Sequence, residues 1–118
     1  MAKKKENSIE RFMKDREELN AIVMKYAGLP IKRFYSLDTQ VFRKGALPTS
    51  TKELLGLVAS FVQRCDDCVK YHLGRCHEEG LSTKEVEEAL AIGLIVGGSI
   101  TVPALRRALK AWDELVDG

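Results

Sequence analysis

Apolar residues recur at intervals of three and four positions along most of this chain. The clearest run comprises Leu54, Leu57, Val58, Phe61 and Val62. Such spacing places the apolar side chains on one face of an α-helix, whereas a half-buried strand requires alternation at every second position. The sequence contains no convincing stretch of that alternation and no internal repeat. It therefore predicts an all-α domain.

The length and composition are those of one ordinary globular domain. A chain of 118 residues can bury roughly two-thirds of its unfolded surface. Its 45% apolar and 31% charged residues exclude an intrinsically disordered or membrane-embedded class. The longest mostly apolar stretch, residues 89–102, is shorter than a bilayer requires and is interrupted by glycines. We therefore expect no membrane partner.

The amino end is charged, with Lys3, Lys4 and Lys5 in succession. It lacks the apolar segment of a signal peptide, so we expect a cytoplasmic protein whose cysteines lie in a reducing compartment. Residues 1–7 are expected to form a disordered basic tail. Because no basic stripe is interleaved with aromatic residues elsewhere, no nucleic-acid partner is expected.

Capping residues, glycines and prolines predict where the first helices begin and end. Ser8 is expected to cap a first helix, which Gly28 and Pro30 should end. A second helix is expected over residues 31–44. These N-terminal helices, at residues 8–48, precede the rest of the same domain.

The core of the domain is expected over residues 49–118. Ser50-Thr51-Lys52-Glu53 and Ser82-Thr83-Lys84-Glu85 both have the form of a capping box, in which a serine and a glutamate bond each other's backbone N–H groups. Gly97 and Gly98 should interrupt the helix that the second box opens. A last helix is expected over about residues 101–115.

The segment Cys65-Asp66-Asp67-Cys68, followed by His72, has the ingredients of a redox-active dithiol. Cys65 and Cys68 are three positions apart and Cys68 and His72 are four apart, so each pair shares a helix face. A CxxC at a helix start benefits from the helix dipole, which stabilises the reactive thiolate. A neutral imidazole at position 72 could accept the proton of the Cys68 thiol.

Glu53 lies on the preceding predicted helix. If the two helices are antiparallel neighbours, its carboxylate could orient His72 or relay its proton through water. Two alternatives remain open at this point. Glu53 could serve only as a member of the capping box, and His72 could be an ordinary surface histidine.

Zinc is the main competing use of these residues, because Cys65, Cys68, His72 and Cys76 resemble four ligands. On one continuous helix they would extend over roughly 16 Å, whereas tetrahedral ligands lie about 2.0–2.3 Å from one ion. We therefore expect no metal. Cys76 is expected to be a buried apolar residue, and His77 to face solvent without a role.

The spacing of Glu53, Cys65, Cys68 and His72 resembles the signature of the alkylhydroperoxidase AhpD-like proteins, which belong to the carboxymuconolactone decarboxylase superfamily. The turn and helix start at Glu79-Gly80-Leu81-Ser82 and Glu85-Val86-Glu87-Glu88-Ala89-Leu90 also look like that family, as does the break at Gly97-Gly98. The resemblance covers about residues 49–113.

The resemblance implies an all-helical, AhpD-like bundle that assembles into trimers or hexamers and uses no cofactor. By position, Cys68 would attack a hydroperoxide, and Cys65 would be the more exposed cysteine, which resolves the intermediate as a disulfide. His72 would activate Cys68, and Glu53 would be the base that drives the relay. An external dithiol, lipoyl-type or thioredoxin-like, would then reduce the enzyme. A homo-oligomer is also expected from the excess of apolar helix surface.

One position departs from the family pattern. Some peroxidase members carry a histidine immediately before the second cysteine, where this chain has Asp67. A carboxylate beside a thiol opposes its ionisation. Two alternatives to a peroxidase are therefore a disulfide reductase or redox relay, and a non-catalytic, redox-sensing oligomeric module.

Overall fold

The structure is a computed structural model that describes residues 6–117. Over these residues it is mostly helical and contains no strand, which confirms the predicted all-α class. The helices are α1 (Ser8–Tyr26), α2 (Leu29–Val41), α3 (Thr49–Val62), α4 (Asp66–Glu78), α5 (Thr83–Gly97) and α6 (Val102–Asp117), with a short 3₁₀ turn at Ser99–Thr101. Within the described range, no helix is both long and apolar enough to cross a membrane.

Helix α4 lies at the centre of the packing. Helix α3 packs against both α4 and α5, while α1 and α6 also contact α4. The buried core side chains are Ile9, Leu57, Phe61, Val69, Leu73, Cys76, Val86, Leu90, Ala104, Ala108, Ala111 and Trp112. One polar bond fixes the largest of them, because the indole N–H of Trp112 donates to Thr83 Oγ1 at 2.9 Å.

The amino end of α1 begins as predicted but with a different capping residue. Asn7, not Ser8, is the N-cap, and its side chain accepts the backbone N–H of Glu10 at 2.8 Å. Ser8 instead donates its backbone N–H to Glu114 Oε1 of α6 at 3.0 Å. Of the basic tail predicted at residues 1–7, residues 1–5 lie outside the described residues, and Asn7 belongs to the start of α1 as its N-cap.

The boundary between α1 and α2 also differs from the prediction. Gly28 is the N-cap of α2, and Pro30 lies in the first turn of α2. A proline is tolerated there because the first turn of a helix has no partner for its N–H groups. The same residues that were expected to end one helix therefore begin the next, and α2 ends at Val41, earlier than expected.

Of the two predicted capping boxes, one is confirmed and one is wrong. Ser82 accepts the backbone N–H of Glu85, and the Glu85 side chain accepts that of Ser82. Helix α3, however, begins at Thr49 after Pro48 and has no side-chain cap. Glu53 therefore lies beyond the end of that helix's first turn, where its side chain is free to point into the protein.

Candidate active site

The two cysteines of the CxxC segment lie at the junction of α3 and α4. Arg64 adopts a left-handed conformation, with φ of 59°, which turns the chain sharply at this junction. Cys65 is the N-cap of α4, and its Sγ accepts the backbone N–H of Cys68 at 3.3 Å. The two Cα atoms are 5.3 Å apart and the sulfurs adjoin each other, a separation that suits a disulfide. The prediction of a CxxC at a helix start is confirmed.

The relative exposure of the two cysteines is the reverse of the expectation that came from the resemblance. Cys68 is exposed, whereas Cys65 is only partly accessible. The reason lies in the capping role, because the Cys65 side chain folds back under the first turn of α4 to reach the N–H of residue 68. Cys68, one turn further on, has no such bond to hold its sulfur inward.

His72 and Glu53 form a buried pair behind the dithiol. His72 Nδ1 and Glu53 Oε1 are 2.8 Å apart, and the two residues are 9% and 1% exposed. A carboxylate can only accept, so Nδ1 carries a proton, and in the neutral imidazole Nε2 then has the lone pair. The structure thus brings Glu53 and His72 together, in the arrangement that orients an imidazole as a base.

Arg75 is a second partner of Glu53 that the sequence pattern did not identify. Its Nε lies 3.4 Å from Glu53 Oε2, and its other nitrogens pair with Glu78 and Glu79. A buried carboxylate is stable only when paired, so the two oxygens of Glu53 are shared between an imidazole and a guanidinium. One signal was available in the sequence, since Arg75 is three positions after His72 and therefore lies on the same face of α4.

The His72 ring is also confined on its faces. The Phe42 ring at the end of α2 lies 5.3 Å away, centroid to centroid, and the Tyr71 ring meets it nearly edge-on at 5.1 Å. On α3, a Cβ added to Gly56 would lie 2.6 Å from His72 Cε1. Only a glycine at position 56 therefore leaves room for the ring.

Cys68 and His72 both line an open cleft of about 1020 Å³ between α1, α2 and α4. The guanidinium of Arg16 lies 4.2 Å above the Tyr71 ring in this cleft. Burial raises the pKa of Tyr71, against the lowering effect of Arg16, so its phenol stays neutral and can donate a hydrogen bond. Cys65 is not part of the cleft wall.

Asp66 and Asp67 separate the two cysteines in sequence, and their side chains have different surroundings. Asp66 Oδ2 lies 2.9 Å from Arg107 Nε of α6, so its charge is paired. Asp67 lines the cleft together with Cys68. In the described part of the chain, no hydrogen bond joins the His72 ring to either sulfur.

Cys76 is fully buried, as predicted, and lies apart from the dithiol. Burial raises the pKa of its thiol to about 12, with a further contribution from the charge of Glu53, so it is un-ionised near neutral pH and a poor nucleophile. His77 is exposed and packs edge-on against Trp112, with ring centroids 5.9 Å apart. Across residues 6–117, no three His, Cys, Asp or Glu side chains are arranged to hold a metal ion.

Comparison with known proteins shows the same fold in a protein of closely similar sequence. The Thermotoga maritima protein TM1620, known from two crystal structures, is 53% identical. One of these has a TM-score of 0.89 and covers 92% of this chain and 95% of that one, and the other has a TM-score of 0.87 and covers 91% of each. TM1620 is described as a carboxymuconolactone decarboxylase family protein with a suggested part in an antioxidative response.

Two more distant proteins are also similar to this chain. The Legionella pneumophila protein lpg0406 has a TM-score of 0.83 at 24% identity, covering 92% of this chain and 97% of that one, and it shows the fold alone. The Cupriavidus necator protein H16_B0147 is 31% identical over 71 residues, which span 60% of this chain and 63% of that protein.

The sequence model of one family matches most of the chain. The matched segment, residues 31–114, starts in α2. It is therefore longer than the segment of about residues 49–113 that resembles the family in sequence pattern. It contains Glu53, Cys65, Cys68 and His72. On this match, this chain belongs to the carboxymuconolactone decarboxylase family.

Proposed function

We propose that the protein is a thiol oxidoreductase that reduces hydroperoxides through a dithiol–disulfide cycle of Cys65 and Cys68. The observation that carries the proposal is the buried bond between His72 Nδ1 and Glu53 Oε1, which leaves Nε2 as a base beside a cleft that Cys68 also lines. Membership of a family that includes a protein linked to an antioxidative response supports it.

In the first step, the Cys68 thiol gives its proton to His72 Nε2, either through a bridging water or once substrate brings the groups together. Glu53 stabilises the resulting imidazolium. The Cys68 thiolate attacks the terminal peroxide oxygen, and the O–O bond breaks. The alcohol leaves with the proton from His72, and Cys68 becomes a sulfenic acid.

In the second step, Cys65 attacks the sulfur of the Cys68 sulfenic acid and water leaves, which forms the disulfide. The two thiols have then given two electrons to the peroxide. An external dithiol, lipoyl-type or thioredoxin-like, returns them in the reducing environment of the cytoplasm.

Counting thiols tests this cycle directly. The reduced protein has three cysteines, and one small hydroperoxide per chain should consume two thiols and leave buried Cys76. The Cys68→Ser variant should lose no thiol pair, whereas Cys76→Ala should still lose two. An unchanged thiol count in the wild-type protein would remove the peroxidase proposal.

A second candidate is a disulfide reductase in which peroxide is incidental. Asp67 favours it, because some peroxidase members of the family carry a histidine at this position, whereas this chain places a carboxylate in the cleft that Cys68 lines. Turnover on a small disulfide, compared with turnover on hydroperoxide under the same reductant, separates the two. An Asp67→Asn variant that gains activity on peroxide alone would identify the carboxylate as the cause.

We further propose a homo-oligomer, because much apolar surface is left uncovered on the single chain. The family resemblance implies a trimer or a hexamer. Helix α2 buries none of its residues and exposes Leu29, Ile31, Phe34, Leu37 and Val41. A second patch on and beyond α5 comprises Ile92, Ile95, Val96 and Ile100. An exposed apolar surface of this kind is typical of a subunit interface.

Sedimentation at low micromolar concentration should therefore detect no monomer. Ile95 is 85% exposed in the single chain, so Ile95→Asp should leave the subunit folded but weaken the assembly. The control is Glu87→Asp, an exposed position on the same helix, which should change nothing. A wild-type protein that sediments only as a monomer would contradict the proposal.

A further inference from the structure

The geometry points to Cys68, not Cys65, as the sulfur that the external reductant attacks, with Cys65 leaving as the thiolate. This inference rests on the proposed dithiol cycle. The family resemblance implies that Cys65 is the more exposed cysteine, whereas here it is Cys68. Cys68 would then react both with the peroxide and with the external reductant.

The two cysteines of the disulfide differ in how accessible they are to an external thiolate. A disulfide breaks when a thiolate reaches one of its sulfurs, and the choice of sulfur depends on which one is accessible. Cys68 is exposed and lines the open cleft, whereas Cys65 is partly buried and lies outside the cleft wall. A thiolate that enters the cleft therefore meets the sulfur of Cys68.

The two cysteines also differ as leaving groups. The sulfur that is better stabilised as a thiolate leaves faster. Cys65 Sγ occupies the N-cap of α4 and accepts the backbone N–H of Cys68 at 3.3 Å, where the helix dipole also favours negative charge. The nearest carboxylate in sequence, Asp66, is paired with Arg107 and so opposes that charge less. His72 does not reverse this preference, because Nε2 of the neutral ring holds a lone pair and has no proton to offer a departing Cys68 thiolate. Accessibility and leaving-group stability thus select the same direction of attack.

Reduction of the disulfide takes two thiol–disulfide exchanges. The donor thiolate forms a bond to Cys68 Sγ, the bond between the two protein sulfurs breaks, and its electron pair stays on Cys65. The second thiol of the donor then loses its proton and attacks the donor sulfur of the mixed disulfide. Cys68 leaves as a thiolate, the donor becomes a disulfide, and the two protons end on the two protein thiols.

Mapping the first mixed disulfide tests the direction. The wild-type protein, oxidised with diamide, is mixed with excess 2-mercaptoethanol and quenched with acid at successive short times. Cleavage before aspartate separates Cys65 from Cys68, because Asp66 and Asp67 lie between them. Extrapolated to zero time, we expect the adduct on Cys68 at least about tenfold more often than on Cys65. Equal labelling, or an excess on Cys65, would overturn the inference.

The unfolded chain provides the matched control. In concentrated guanidinium chloride the cap of α4 and the cleft are lost, so the adduct should divide nearly evenly between the two cysteines. A preference for Cys68 that persisted there would belong to the local sequence and would refute the structural argument.

Because no peroxide is used, the result of this experiment does not depend on the proposed peroxidase function. If the protein turns over peroxide but the adduct forms on Cys65, only this inference is wrong. If the adduct forms on Cys68 but the protein does not turn over peroxide, only the peroxidase proposal is wrong.

Discussion

His72→Gln should slow peroxide-driven disulfide formation by about 10²–10⁴-fold near neutral pH, the range that a general base contributes. Glutamine keeps a polar side chain next to Glu53 but has no basic nitrogen. Glu53 also keeps its contact with Arg75, at 3.4 Å, so its charge is not left unpaired. The measurement is the rate of thiol loss after addition of a small hydroperoxide to the reduced protein, with circular dichroism as the check on folding.

The chain offers a matched control, because it has only two histidines. His77 is exposed and packs against Trp112, so His77→Gln should leave the rate unchanged. The deficit of His72→Gln should also shrink as the pH rises past about 8.5, where an ordinary cysteine ionises without a base. A folded His72→Gln variant with the wild-type rate would refute the proton-acceptor role, and a deficit independent of pH would point to a structural defect.

Gly56→Ala should both destabilise the protein and slow the reaction. Alanine in place of glycine within a helix normally stabilises by roughly 0.5–1 kcal/mol. Here the new Cβ would lie 2.6 Å from His72 Cε1, and Glu53, Phe42 and Tyr71 confine the ring on its other sides. Overpacking of this kind costs about 1–3 kcal/mol, and a displacement near 1 Å can cost about 100-fold in rate.

Thermal or chemical unfolding, together with the thiol-loss assay, measures both effects. Gly74 of α4 is the control, because its added Cβ would meet α1 and not the His72 ring: the flexible terminal methyl of Met13 at 2.8 Å and Ile9 Cγ2 at 3.2 Å. Gly74→Ala should therefore keep the rate, with a smaller change in the free energy of unfolding. If Gly56→Ala proved as stable and as active as the wild type, the account of how His72 is confined would be wrong.

Most of the fold was predictable because it depends on local chemistry. The spacing of apolar residues determines which face of each helix is buried, and this predicted the all-α class correctly. Ser82 and Glu85 form the expected capping box because each needs only a partner three residues away. For the same reason Cys65 is found at the start of a helix. Such features require no knowledge of distant contacts.

Glu53 shows where a local pattern is ambiguous. The same Ser-x-x-Glu pattern predicted a capping box at Ser50 and at Ser82, and only the second one forms. Pro48 starts α3 earlier than the pattern suggests, and His72 and Arg75 on α4 offer Glu53 buried partners. Those partners are 19 and more residues away, so no reading of the local pattern could choose between the two roles.

From the sequence alone it follows that the chain is helical, that a CxxC begins a helix, and that a histidine lies one helical turn beyond the second cysteine. The packing of the helices determines that Glu53 bonds His72, that Gly56 and Phe42 confine the ring, and that Cys68 is the more exposed cysteine. The physical reason is the range of the interactions. Caps and helix faces depend on residues within one or two turns, whereas burial and ion pairing depend on which helices pack together.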